Sequence, residues 1–458
     1  MDVNTTGNNN VAVGYQAMDA NTTADLCTAV GYNALGANTT QDDNTAVGSF
    51  CLSSNTTGGP NVAVGAKALS SNTSAGANTA VGYEALQMTT TGGNNTAVGT
   101  RALEENTTGV NNTAVGRDAL TTNTTGNSNI AIGYAALDSN TTASDNVAIG
   151  VSSLGLNTDG FSNTAVGNSS LSKNTTGDYN VAVGLFALEE ATTANRNTAV
   201  GAYACEGNTT GQYNTGLGGW SLQANQTGIN NTAVGYNALT VNTGDKNTAV
   251  GYNALSQHTS GTFNVGVGHG AGGNVTTGER NTFLNSTGPV TTGDYNMLLG
   301  FNAGEAGSPS GQVTTGSGNV VLGNNNVANL FCADTSISSS DQRDKTDIQD
   351  FTKGLSWIEA LRPITYRWDR RTWYGTDAEP YGTPDGSKKW TKLHIGFLAQ
   401  EALEVEKANG YGDTKDNMLI CNLTEDNMAY GMKYERLVPV LVNAIKELSK
   451  KVTALEAA

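Results

Sequence analysis

The sequence predicts a mostly β chain: a parallel β-solenoid, or β-roll, shaft followed by a small α+β domain that ends in a coiled-coil-like helix. Three observations carry this expectation. A glycine recurs every 17 residues from Gly14 to Gly235, marking fourteen copies of a unit close to N-T-A-V-G-Y-x-A-L-x-x-N-T-T-G-x-x. Composition changes abruptly near residue 340. Beyond that boundary, apolar residues return at heptad spacing almost to the C-terminus.

A unit this short cannot bury a core alone, so successive copies must stack on one another. Alternation within each copy marks a short strand. The column that begins Val13, Val30, Val47 and runs through Ile132 and Ile149 to Leu217 and Val234 is always branched and apolar, with small Ala and Gly beside it. The A-L pair, as in Ala34-Leu35 and Ala102-Leu103, adds a second apolar step, and N-T-T-G turns the chain. Asparagine fills position 10 and every seventeenth residue to Asn231, except at Cys27. A second column holds Asn4, Asn21, Asn38 and Asn55, with Thr89 and Ala191 as substitutes. Stacking places such amides one above another, where they form hydrogen-bonded ladders. At one strand spacing per coil, about 18 coils make a shaft roughly 85–90 Å long. The N-T-T tripeptides fit the N-glycosylation pattern, but without a secretory signal they read as turns.

The shaft is expected to span residues 1–269. Past Gly268 the register loosens: Asn285 stands where Gly is due, and Gly300 and Gly323 follow at broken spacing. Residues 270–339, with Pro289 and Pro309, are expected to be irregular, tapering repeats at a distal tip, and residues 340–458 a separate domain.

Charge divides unevenly. Residues 1–339 hold 7 of the 24 Lys+Arg and 21 of the 40 Asp+Glu, a net of −14, whereas residues 340–458 are nearly neutral and hold four of the five tryptophans. The basic footprint of a nucleic-acid binder is absent, and acidity keeps a long shaft soluble. There is no 18-residue apolar run and no signal peptide, so membrane insertion is not expected. The five cysteines lack metal-ligand or disulfide spacing, and Cys51 and Cys205 read as small buried hydrophobes. No cofactor or metal is expected. The repeats begin at Asn4, so attachment at that end is expected to fall to another subunit, unless the chain is a distal fragment.

The N-T-A-V-G repeats resemble the head repeats of trimeric autotransporter adhesins and repeats of phage tail fibres, both similar to parallel β-rolls in which three chains surround one axis. The resemblance spans residues 8–275, although this period is longer than that of the adhesin heads. At the boundary, Ser340-Asp341-Gln342-Arg343-Asp344-Lys345-Thr346-Asp347-Ile348 resembles the start of the self-cleaving C-terminal chaperone domain of phage endosialidases and tail spikes. Gly396-Phe397-Leu398-Ala399-Gln400-Glu401 and Tyr434-Glu435-Arg436-Leu437-Val438 resemble two later segments of that family, in the expected order. The resemblance implies an intramolecular chaperone that assembles a homotrimer and then cleaves itself off. The heptad seam Val438, Leu441, Ile445, Leu448, Val452 and Leu455 suits that role, though a helix packed only on its own domain has the same pattern. A registering device is physically sensible, because a periodic chain pairs one repeat out of register at little local cost.

The cleavage site implied is Ser339-Ser340, with Ser340 as nucleophile. A serine hydroxyl needs an adjacent base, and no histidine is near in sequence. Lys345 lies at the family's Ser–Lys spacing, and must be neutral to act as base. Arg343 could help lower its pKa or instead pair with Asp341 or Asp347; Asp341 is a further supporting candidate, and Ser340-Asp341 could alternatively cap a helix. The expected function is therefore a phage tail-fibre, receptor-binding structural protein of the virion, assembled in the host cytoplasm. Its expected partners are two further copies of itself, a virion fibre or baseplate subunit, and a bacterial surface polysaccharide or protein. The alternatives are a tail spike that depolymerises surface polysaccharide, which needs placed pairs of carboxylates, and a fragment of a bacterial trimeric adhesin.

Overall fold

A computed structural model describes residues 3–308, 310–324, 326–327, 346–371, 374–375, 382–423 and 429–457. The chain forms two compact units, Met1–Asn285 and Ser286–Ala458.

The first unit is a parallel solenoid of three-residue strands, from β1 (Val11–Val13) to β17 (Thr282–Leu284), one per coil. Every strand pairs in register with those of the neighbouring coils, as in Ala12↔Ala29 and Ala131↔Ala148. Coils are 17 residues long except where Thr232 pairs with Thr248, a 16-residue coil. The middle strand residue points inward and is buried, and its flanking Thr, Val or Ile residues point outward. A single inward position facing the buried Leu of the A-L pair leaves room only for Ala or Gly. Phe283 is the exception, and a compensating one. Gly272 occupies the Leu place beside it, where a Cβ would come within 2.6 Å of the Phe283 ring.

Each coil has residues at positive φ besides glycine. In the coil around Phe50 these are Asp43, Phe50 and Leu52, at φ 60°, 59° and 49°. A left-handed non-glycine residue costs about 1–2 kcal/mol, and here each one turns its amide toward a neighbouring coil. Phe50 N–H donates back to Tyr32 O at 2.8 Å, and Leu52 N–H donates forward to Ala68 O at 3.1 Å. The repeated glycine does what no other residue does in this frame: from Gly14 to Gly268 φ stays at 124–144°. A Cβ there would also collide with the next coil's backbone.

Both asparagine columns are buried ladders. Asn129 accepts from Asn146 N–H at 3.0 Å and donates from Nδ2 to Ala143 O at 2.9 Å, so each amide fastens its own coil to the next. In the other column Asn140 Nδ2 donates to Asn123 Oδ1 at 2.9 Å and to Ala143 O at 3.0 Å. This second ladder stops where its residue changes or the coil shortens. Asn72, Asn174 and Asn225 are left with buried Oδ1 atoms lacking a partner; their successors are Thr89, Ala191 and Asn242, the last opening the turn of the short coil. His258 then takes the column's place. Its Nδ1 lies 2.8 Å from Asn242 Oδ1 and its Nε2 2.9 Å from Asn264 Nδ2, which requires a neutral ring protonated on Nδ1. Burial holds its pKa down at about 4. Cys51 and Cys205 are buried as expected, with thiols pushed up to about 12 by desolvation.

The second unit begins with two more strands of the same kind, β18 (Met297–Leu299) and β19 (Val320–Leu322), paired in parallel across 23 residues. An α+β domain follows: α1 (Leu355–Ala360), β20 (Ile364–Tyr366), β21 (His394–Gly396), α2 (Ala399–Lys407), β22 (Cys421–Leu423), β23 (Tyr430–Met432) and α3 (Leu437–Glu456). Both strand pairs are antiparallel. Among the described residues no helix is long and apolar enough to cross a membrane.

Candidate functional site

The C-terminal domain is built around α3. Leu437 and Val440 pack with Trp357 and Leu361 of the α1 region, Ala402 and Leu403 of α2, and Ile420 and Cys421 at the start of β22. Two polar residues of α3 fix the chain that enters the domain. Asn443 Nδ2 donates to Phe351 O at 2.5 Å and to Lys353 O at 3.3 Å. Glu447 accepts the Leu355 N–H at 3.0 Å, which supplies α1 with the terminal acceptor that Gly354 lacks.

The adjacent face of α3, about a quarter-turn round the helix, is exposed. Val438, Leu441, Ile445, Leu448, Val452 and Leu455 are all exposed, Ile445 at 66% and Leu455 at 78%. The helix therefore divides its labour: one face holds the domain together, and the heptad seam stands free. The heptad seam is not what packs the helix onto its own domain; Leu437, Val440 and Ala444 do that.

Two of the three sequence motifs meet in space. Gly396 is buried under Tyr434, whose Oη would lie 2.5 Å from any Cβ placed there. Tyr434 Oη also accepts the Phe397 N–H at 3.2 Å, and the two rings lie 6.1 Å apart. Ala399 O accepts a hydrogen bond from Cys421 Sγ at 3.3 Å. Glu401 grips Arg362 in a bidentate pair on the surface, which holds the Glu401 carboxyl below its ordinary pKa and the Arg362 guanidinium above its own. Near this junction Tyr366, Trp368, Trp390 and His394 form an aromatic cluster, with Arg370 over the Trp368 ring at 4.5 Å. Partial burial lowers the Arg370 pKa.

Sequence reasoning missed Glu406. Its carboxylate is fully buried and accepts three backbone amides: Leu419 at 2.9 Å, Ile420 at 2.6 Å and Cys421 at 2.7 Å. It ties the end of α2 to the start of β22. A lone Glu on an amphipathic helix gives no sequence signal for this, because its partners are backbone groups 13 to 15 residues away.

The expected cleavage residues Ser339 and Ser340, with Asp341, Arg343 and Lys345, lie outside the described residues. No group of three or more His, Cys, Asp or Glu that could hold a metal ion occurs among the described residues.

A parallel solenoid of near-identical coils, followed in sequence by a small domain with a free heptad seam, defines a fibre- or spike-type protein. Residues 340–411 match the family model described as the chaperone of endosialidase, so this part of the chain is similar to those chaperones, as its motifs implied. The match ends before β22 and α3. No curated protein and no solved structure matches the chain.

Proposed function

We propose that this chain is a homotrimeric phage tail fibre whose C-terminal domain aligns three copies and then cleaves itself from the shaft. The observation that carries the reading is the free seam of α3, seated on a domain that resembles an endosialidase chaperone. Apolar residues at alternating three and four spacing, exposed on a folded helix, suit helices of further copies. Held at their C-termini, three chains start zipping level, which removes the register slips that identical coils otherwise permit. Another virion subunit holds the N-terminal end, and the shaft or its tip meets a bacterial surface receptor.

In the cleavage step Ser340 Oγ attacks the carbonyl carbon of Ser339. Neutral Lys345 takes the hydroxyl proton and passes it to the leaving Ser340 nitrogen. The peptide C–N bond breaks and an ester to Oγ remains. Water hydrolyses that ester, leaving a Ser339 carboxylate and Ser340 as a new N-terminus. Intact mass under denaturing conditions, for the full chain beside Ser340→Ala and Lys345→Ala, tests this step. Two fragments from the parent and one species from each variant are expected. One intact species from all three sinks self-cleavage. Light scattering of the native protein tests the trimer independently.

A further inference from the structure

We infer that the strand face of the solenoid is the surface by which copies of this chain pack together, leaving the N-T-T turns facing outward. This rests on the multimer proposed above and names the face that makes it.

Three observations converge on that face. The first is charge. In each coil a stretch of six residues, such as Asn129 to Tyr134, spans the strand and its flanks; across the seventeen coils of the first unit, Arg117 is the sole Lys, Arg, Asp or Glu within it. All eighteen Asp and Glu of residues 1–285 fall elsewhere in the coil. Three of the six positions are claimed by the ladder Asn, the inward Ala and the positive-φ Gly. The three outward ones carry no acid in any of the seventeen coils either, as in the core of an interface, which is depleted of charge.

The second is exposed apolar surface. Apart from Val3, Met88, Leu156 and Val241, every exposed large apolar side chain of the first unit lies in this stripe or along its edges. The outward Val13 column stays branched and apolar throughout, although a Thr or Ser there would keep the strand and dissolve more readily. The edges carry rings and cations: Tyr203 stacks on Trp220 at 5.5 Å, and Arg196 lies over Tyr179 and Tyr213 at 5.3 and 5.7 Å. Aromatic residues and Arg are enriched in interfaces.

The third is size. With about 4.8 Å between coils and about 3.3 Å per residue, the six-residue stripe is about 80 Å long and about 16 Å wide, on the order of 1,300 Å². A stable interface takes about 800 Å² from each partner, and the largest apolar patch on a typical monomer is about 300–600 Å². The partner that fits is a second copy. A stripe bare of charge except for Arg117, and repeating at one coil spacing, meets its equal along its whole length only on another solenoid with the same spacing.

Cysteine cross-linking of the full chain tests the assignment. Ile132→Cys lies on the strand face, where the native side chain is 38% exposed, and Thr125→Cys lies on an exposed turn of the same coil. Both are made in a Cys332→Ser background, since the other four native cysteines are buried. Val81→Cys, on the same face three coils away, stands in if the first variant does not fold. A short bis-maleimide is expected to yield covalent multimers from the strand-face cysteine and none from Thr125→Cys. A multimeric mass by light scattering with any other cross-linking pattern overturns the face and leaves the multimer. A monomeric mass overturns both.

Discussion

The interrupted amide ladder gives a quantitative test of what holds the coils together. Ala191 stands fully buried where neighbouring coils carry Asn174 and Asn208, and Asn174 Oδ1 is left without a donor. Ala191→Asn restores the column. By the geometry of the intact coils, the new Nδ2 donates to Asn174 Oδ1 and to Ala194 O, and the new Oδ1 receives Asn208 Nδ2, as Asn123, Asn140 and Asn157 do for one another at 2.9–3.1 Å. Each buried hydrogen bond nets about 1 kcal/mol, and satisfying an orphan acceptor recovers about 1–3 kcal/mol more. Against this stand the desolvation of the added amide and the fixing of its rotamer, each about 1 kcal/mol. The balance is a stabilisation of about 2 kcal/mol, confined to the adjoining coils because each coil contacts only its neighbours. Hydrogen exchange by mass spectrometry reads this locally: amides of residues 188–211 should exchange about 30-fold more slowly. The reciprocal change Asn140→Ala breaks ladder bonds on both sides and should speed exchange around it. Unchanged or faster exchange in Ala191→Asn, in a protein that keeps its fold, would refute the claim that the ladder carries net stability.

Three further outcomes are expected. Gly133→Ala, at φ 137° and against the Gly150 carbonyl, should destabilise the solenoid by about 3 kcal/mol or more, whereas Gly126→Ala meets the Ala143 carbonyl as closely but without positive φ, in a column already holding Ala24, Ala75, Ala143 and Ala194, and should cost clearly less in the same denaturation assay. His258 takes up its proton near pH 6.5 when unfolded but only near about 4 when folded. Its unfolding therefore binds a proton in that window, so stability is lost as pH falls from 6.5 to about 4, by about 3 kcal/mol in all, and exchange around residues 242–264 in His258→Asn should lose that part of its pH dependence. Glu406→Ala strands two buried amides and one half-buried one and should destabilise the C-terminal domain by about 3–5 kcal/mol, read by circular dichroism, with Glu406→Gln partly restoring it.

Much of the shaft was legible because its cause is periodic. A glycine required by both φ and close approach leaves a mark at every copy, as do an inward Ala and an amide ladder. The segments of the C-terminal domain were legible for the same reason, from the heptad seam of α3 and from motifs that proved to touch through Gly396 and Tyr434. The left-handed Leu and Phe residues were not legible, because their conformation is imposed by amides in neighbouring coils and not by local preference. Nor were the Glu406 clamp and the linkage of a shortened coil to His258, since each joins residues with no shared pattern. Of the candidate site, the supporting domain was readable; the Ser340 and Lys345 pair falls outside the described residues.

The in-register stacking of the coils makes the length of the shaft modular. Since each coil meets only the one above and the one below in the same register, deleting or duplicating one whole coil keeps the strand pairing and the glycine column at the new junction. The length of the shaft can therefore change in whole coils while the fold stays the same. A gain or loss of a single residue is different. It leaves a visible scar, as the 16-residue coil does, with an unpaired amide before it and a histidine pressed into the ladder after it.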